Sequence, residues 1–282
     1  MHSVGFVPSL PQEAESTIGY FLPEALQDRR AALVVAHPGH ELRVHGWMVL
    51  AQPIVFVLTD GSGRSGHSRL ESTTRLVGEC GASEGPIYGR FKDVDIYSAI
   101  LDADFEGFID LAEELGQAFL RNHVEYVVGD AIEGYNPIHD LCRTVINAAV
   151  ELANRRKTNP IANFDFRVIG RPDLNSDVSR GEGIRLRLDE AALARKLGAA
   201  EAYLEIRDDV AKMINEAGSA AFRFEALRPV ISAVGAVGPV EEPPFYERYG
   251  EKQVSEGHYL RVIRYREHIL PIFEELQNHA KR

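Results

Sequence analysis

Cysteine is nearly absent from this 282-residue sequence. Only Cys80 and Cys142 occur, both inside segments that read as helices. Neither a disulfide framework nor a Cys-rich zinc module can be built from them, and they read as small buried hydrophobes. No apolar run approaches the roughly 20 residues of a membrane span. A basic surplus is also missing: 31 Lys and Arg face 42 Asp and Glu, a formal charge of −11. Such a surface repels phosphate backbones, which argues against nucleic acid as a partner. The leading residues, MHSVGFVPSLPQEAES, hold no basic region followed by an apolar run, so no signal peptide is expected. These absences lead to the expectation of a soluble cytoplasmic protein. Internal repeats and low-complexity segments are lacking too, and no linker divides the chain. One domain over 1–282 is expected, with an N-terminal extension at 1–30, a core at 31–170, and an irregular and helical segment at 220–282.

What is present is alternation. Ala31 to Ala36 (AALVVA), Pro53 to Leu58 (PIVFVL) and Val124 to Val128 (VEYVV) are apolar runs without helical period, the mark of buried parallel strands. Phe164 to Ile169 reads as a further strand, and a strand at Val94 to Tyr97 is expected within the less regular stretch from Ile87. Between them lie helical segments at 41–52, 67–80 and 138–156. The spacing of Phe105, Phe108, Ala112, Leu115 and Phe119 makes one apolar helix face. Asp189 opens a long helix expected to reach about Met213. After about residue 220 the alternation stops, at Pro229, Pro239, Pro243 and Pro244. A last helix is expected over 258–279, kinked or split by Pro271. Strands alternating with helices give an α/β fold: a mostly parallel sheet covered on both faces, a three-layer sandwich.

Two strand ends carry candidate chemistry, where open α/β sheets bind ligands. Directly after the first strand comes Ala36-His37-Pro38-Gly39-His40-Glu41, with two imidazoles three residues apart that can converge on one ion. After VEYVV comes Gly134-Tyr135-Asn136-Pro137-Ile138-His139-Asp140. Pro137 suits the first position of a helix, and His139 then projects from its first turn. A parallel sheet puts both turns on one rim. The structural alternatives stay open at this point: a helix-turn residue for His139, and a φ > 0 turn requirement for Gly39.

AHPGHE at 36–41 and NPIH at 136–139 resemble the AHPDDE and HPDH motifs of the LmbE-like (PIG-L) deacetylases. LTDGSG at 58–63 and Arg69-Leu70-Glu71 resemble that family's T-D-G turn and R-x-E helix start. The four strings occur in family order between about residues 31 and 170. The resemblance implies a Rossmann-like fold and a zinc-dependent hydrolase that removes the acetyl group of an N-acetylated sugar or glycoconjugate. It implies His37, His40 and His139 as metal ligands, with His40 in place of a family Asp. Three imidazoles suit zinc, and also iron, nickel or copper. Gly39 replaces the family's general base, Asn136 its oxyanion-stabilising His, and Ile138 an Asp. Three neutral ligands leave the ion about one charge more positive than two His and a carboxylate, which favours ionised water there. Asn136 retains an amide N–H for an oxyanion. Glu41, Asp60 and Asp140 are the nearby groups for proton transfer; Glu41 has the alternative of orienting a ligand His and Asp140 of capping its helix. Arg69 is a contact for substrate hydroxyls or phosphate, or else forms a surface salt bridge with Glu71 or a neighbouring helix.

Other readings compete. Gly61-Ser62-Gly63-Arg64-Ser65-Gly66 spells G-x-G-x-x-G, a dinucleotide-loop pattern, but it follows the second strand and no acid ends the next one to hold a ribose. Loss of the Asp at position 39 leaves open a non-catalytic metal- or ligand-binding protein, or another metal-dependent reaction on the same scaffold. His45, one turn beyond Glu41, is expected at a packed helix position, with lining of the pocket as the alternative. His2, His67, His123, His258, His268 and His279 have no motif around them. The aromatic and charged run Phe245 to Gly250 closes the pocket or forms a subunit contact, which leaves a homo-oligomer open.

Overall fold

The computed structural model describes residues 20–63, 65–173, 183–230 and 241–282. Most of the expected N-terminal extension, Arg64 and Pro239 lie outside them.

Among the described residues seven strands join one sheet in the order β3-β2-β1-β4-β5-β7-β6. β1 is Ala31–Val35, β2 Ile54–Thr59, β3 Ser83–Phe91, β4 Tyr126–Asp130 and β5 Ala162–Phe166; these five run parallel. β7 (Phe224–Pro229) is antiparallel to β5, and β6 (Ile184–Arg187) is antiparallel to β7. β1 lies between β2 and β4 with every residue buried. Its alternate side chains feed two cores. Ala32, Val34 and Ala36 meet one face, built with α4 (Phe105–Arg121), α5 (Pro137–Asn154) and α9 (Leu270–Lys281). Leu33 and Val35 meet the other, built with α1 (His45–Ala51) and α2 (Leu70–Glu79). That two-sided burial is why β1, β2 and β4 read as unbroken apolar runs. Among the described residues no helix is long and apolar enough to cross a membrane.

Four expectations are corrected. Val94 to Tyr97 is not a strand: β3 ends at Phe91, and Asp93–Leu101 is helix α3. Two acids, Asp93 and Asp95, stand in its first turn and favour the helix dipole. The helix opened by Asp189 breaks. Asp189 does cap α6 (Glu190–Ala202), its side chain accepting from Ala192 N, but α7 (Arg207–Ala217) is separate, because Tyr203 turns out of α6 to bury its ring. The alternation does not stop at 220, since β7 and α8 (Phe245–Ser255) follow. Both β6 and β7 are short strands that alternate buried and less buried residues at an antiparallel edge, a weaker signal than a buried run. Finally, the last helix begins later than expected. A π-turn at Tyr265–Ile269 leads into α9, and Pro271 sits in its first turn, where a missing N–H costs nothing.

Candidate active site

The strand order reverses direction between β1 and β4, so the turns that leave their carboxyl ends diverge and open a crevice. His37, two residues past β1, and His40 lie on one turn; His139, third residue of α5, lies on the other. The three rings come together edge to face: centroids are 5.3 Å apart for His37–His40, 5.0 Å for His37–His139 and 4.4 Å for His40–His139. Gly39 makes the tight turn between the first two, at φ 104°. A Cβ there would meet Ile206 Cδ1 at 3.1 Å, so the place where the resembling family carries its base is a turn built for glycine, with Ile206 and Tyr203 against it.

Two buried carboxylates hold the rings. Asp130, the last residue of β4, accepts from Ala36 N and faces His40 Nδ1 through one oxygen, at 2.8 Å each. Asp93, which opens α3, places Oδ1 2.9 Å from His37 Nδ1, and Thr59 Oγ1 lies 2.8 Å from the same nitrogen. Binding at Nδ1 directs Nε2 of each ring away from its carboxylate. Carboxylate-backed imidazoles with the far nitrogen presented are the usual arrangement at metal centres. Burial, then His37, Arg43 and Arg69, hold His40 well below the ordinary histidine pKa; burial, then His40 and His37, do the same for His139. Both are therefore neutral near pH 7, the form that ligates. Burial pushes the Asp130 carboxyl up to about 7.

The donor chemistry fits a divalent transition ion: three imidazoles, with His37 Nε2, His139 Nδ1 and Asp130 Oδ1 buried and lacking any hydrogen-bond partner among the described residues. The fit is one of donor kind. Among the described residues no group of three or more His, Cys, Asp or Glu is arranged to hold a metal ion.

The other expected site residues sit as follows. Glu41 is fully buried but turns from the imidazoles; it accepts from Gly39 N at 2.7 Å and from the Thr73 hydroxyl at 2.8 Å, and burial raises it to about 7. Orientation of the rings falls to Asp93 and Asp130 instead. Asp140 accepts from Glu133 N and Gly134 N, fastening the loop before α5. Asp60 accepts from Ser62 N and the Ser62 hydroxyl. Asn136 caps α5, its Oδ1 accepting from Ile138 N at 2.8 Å, while Nδ2 donates to the Tyr97 hydroxyl at 3.3 Å. Arg69 is half-buried beside Gly61, and among the described residues its guanidinium makes no salt bridge with Glu71. In the glycine loop, Gly63 N donates to Asp93 Oδ2 at 2.5 Å, so this amide serves a carboxylate of the site.

Asp93, Asp130, Thr59 and Tyr97 escaped sequence reasoning. Asp130 had a signal, an acid closing a buried strand at the sheet's binding rim. Asp93 was hidden by the strand expected at 94–97.

No protein-family model matches the sequence, and no curated protein does. Solved structures give a loose likeness of fold. Teicoplanin deacetylase Orf2 in its zinc-inhibited form is 13% identical with a TM-score of 0.48, over 71% of this chain and 97% of that one. The A40926 pseudoaglycone deacetylase Dbv21 is 18% identical with a TM-score of 0.48, over 71% and 96%. A conserved protein from Thermus thermophilus, TT1542, is 16% identical with a TM-score of 0.43, over 72% and 95%. Likeness at this level assigns no residue.

Proposed function

We propose that the chain is a metal-dependent amide hydrolase that deacetylates an N-acetylated sugar or glycoconjugate, with zinc held by His37, His40 and His139. The observation that carries this reading is the meeting of three buried imidazoles at the β1/β4 crevice, two of them backed at Nδ1 by buried carboxylates. The resemblance of AHPGHE and NPIH to the deacetylase motifs points the same way. When bound, the ion supplies a Lewis acid that activates water and polarises an amide carbonyl.

This chain's own residues do the rest. Thr59 Oγ1, which donates to Ala36 O and so accepts from His37 Nδ1, and Asp130, which accepts from His40 Nδ1, keep Nδ1 protonated and Nε2 basic, with the Asp93 carboxylate beside His37 Nδ1 adding its charge. Asn136, pinned by its cap bond, holds one amide N–H free to meet an oxyanion at the rim; its Nδ2 carries two hydrogens and gives one to Tyr97. Arg69 stands at the same rim for substrate hydroxyls. Glu41 and Asp140 use both oxygens on the backbone and hydroxyl donors named above and shape the turns that carry the imidazoles, whereas Asp60 accepts both Ser62 bonds at Oδ1 alone and keeps Oδ2 for proton transfer.

One observation favours a second reading, a metal- or ligand-binding protein without turnover. Position 39 carries no base, and the carboxylates of Glu41 and Asp140 are committed elsewhere. Metal content by plasma mass spectrometry, on protein purified without chelator, tests both together with acetate release from N-acetylated sugars. About one zinc per chain, lost in His40→Ala, with acetate release that is lost as well, supports the hydrolase. Zinc without acetate release selects the binding protein. No metal in either protein sinks both metal readings.

A further inference from the structure

Tyr97 carries a hydroxyl hydrogen that the chain leaves unused. The residue stands on α3 one turn after Asp93, the carboxylate against His37 Nδ1, and positions four apart share a helix face. Its oxygen reaches across to the start of α5, where it accepts from Asn136 Nδ2 at 3.3 Å. Asn136 caps that helix three residues before His139, its Oδ1 accepting from Ile138 N at 2.8 Å. The phenol therefore bridges the helix that backs His37 and the helix that carries His139. Its ring packs against the core and is half-buried.

In the Asn136 bond the Tyr97 oxygen is the acceptor, and its own O–H has no acceptor among the described residues. Withdrawing a donor from water without an acceptor is costly, so its presence calls for one that the chain does not provide. The hydrogen is also retained: burial first, then Asp93, Tyr259 and Tyr249, raise the phenol's pKa and outweigh the Asn136 bond. Nearby Asp93 does not take it, since Asp93 faces His37 Nδ1 and accepts from Gly63 N. The Asn136 N–H polarises the phenol as well, because a hydroxyl that accepts one hydrogen bond donates the next more strongly. With a lone pair engaged and a hydrogen to give, the group fits an oxygen that only accepts.

We infer that Tyr97 is a catalytic hydrogen-bond donor to an anionic oxygen in the β1/β4 crevice, the oxygen of the scissile amide as its carbon turns tetrahedral, with Asn136 aiming and polarising the phenol. The inference rests on the hydrolase reading for the identity of that oxygen. Tyr97 lies on α3, outside the four strings that resemble the deacetylase motifs. Attack of water on the amide carbon forms a C–O bond and moves the C=O π pair onto oxygen. Tyr97 shares its hydrogen with that oxygen and keeps its proton. The pair returns as the C–N bond breaks, and the amine leaves with the protons of the water. A fixed donor in a half-buried wall favours the charged oxygen over the neutral carbonyl, which is what raises the rate.

The experiment separates anion binding from turnover. Methylphosphonate, a tetrahedral anion shaped like an acetyl group under attack, is titrated by calorimetry into the full chain purified with zinc, for the wild type and Tyr97→Phe. Zinc content of both proteins and acetate release from N-acetylglucosamine are measured beside it. Tyr97→Phe is expected to keep its zinc and to bind methylphosphonate about 10- to 100-fold more weakly, the worth of a hydrogen bond to a charged group. Its kcat for acetate release should fall by about 10²- to 10³-fold with KM unchanged. Equal methylphosphonate affinity in the two proteins overturns the inference, and so does a wild type that does not bind it. A variant that has lost its zinc makes Tyr97 a structural residue and also overturns it, as does a variant that releases acetate with the wild-type kcat. No acetate release from the wild type, with the methylphosphonate difference intact, sinks the hydrolase reading alone.

Discussion

Replacing Asp130 with Asn separates metal affinity from folding. In the wild type one Asp130 oxygen accepts from both Ala36 N and His40 Nδ1, and the other is buried without a partner. Asn keeps the shape and one acceptor oxygen but removes the charge that makes the His40 imidazole a strong donor to metal. Losing such an outer carboxylate weakens metal binding by about 10- to 100-fold, roughly 1.4 to 2.7 kcal/mol. The metal-free protein should respond oppositely. Burial raises the Asp130 pKa from its ordinary 3.8 to about 7. A raised carboxyl stabilises the fold fully below the unfolded value, and that contribution is lost as pH rises through about 7. At pH 8 the folded wild type therefore carries an ionisation cost on the order of 4 kcal/mol that Asn does not. Part of this gain is offset by a buried amide N–H₂ in place of the unpartnered oxygen, about 1 to 3 kcal/mol. Competition against a zinc-binding dye, beside urea unfolding of chelator-treated protein at pH 8, measures both. The expected pair is weaker zinc binding with metal-free stability equal to or above wild type. Unchanged zinc affinity in Asp130→Asn, in a protein whose His40→Ala form has lost zinc, would refute the reasoning.

Three further outcomes are expected. Glu225 accepts from Gly46 N, Trp47 N and Lys196 Nζ at 2.8 Å each, with both charged side chains buried. Glu225→Ala should cost about 3–5 kcal/mol in urea unfolding by stranding the lysine charge, and adding Lys196→Met should restore part of it; a loss below about 1 kcal/mol would show the pair to be dispensable. His45 is held at about pKa 4 by burial first, with Lys196 and Arg195 adding to it. Its depressed value means stability present above about pH 6.5 and lost as pH falls towards 4, on the order of 3 kcal/mol; His45→Met should flatten that part of the stability–pH curve relative to wild type, and parallel curves would contradict it. Gly39→Ala forces a Cβ onto a residue at φ 104° and within 3.1 Å of Ile206. It should lower stability by about 1–3 kcal/mol, with Ile206→Ala relieving the steric part but not the backbone part; a Gly39→Ala protein as stable as wild type would mean that the turn can relax.

By itself the sequence determined the middle of the sheet and the identity of the imidazoles. AALVV, IVFVL and YVV are buried on both faces, so they must be apolar at every position, and that is visible without coordinates. Histidines directly after two such strands are equally visible, because a parallel sheet sends those ends to one rim. The edge was less legible. Ile184–Arg187 and Phe224–Pro229 are short and half polar, and what makes them strands is mutual pairing across a long separation in sequence, which local pattern does not encode. The roles of the carboxylates were decided in the same way. Glu41 stands beside His40 in sequence, but its carboxylate turns to Gly39 N and Thr73. The partners of the rings are Asp93 and Asp130, 56 and 90 residues away from the histidines they face. The meeting of Tyr135 with Phe245 has the same origin. Residue type and periodicity are local properties, and they expose what one segment must bury; which oxygen reaches which nitrogen is settled only when strand order brings distant turns to the same end of the sheet.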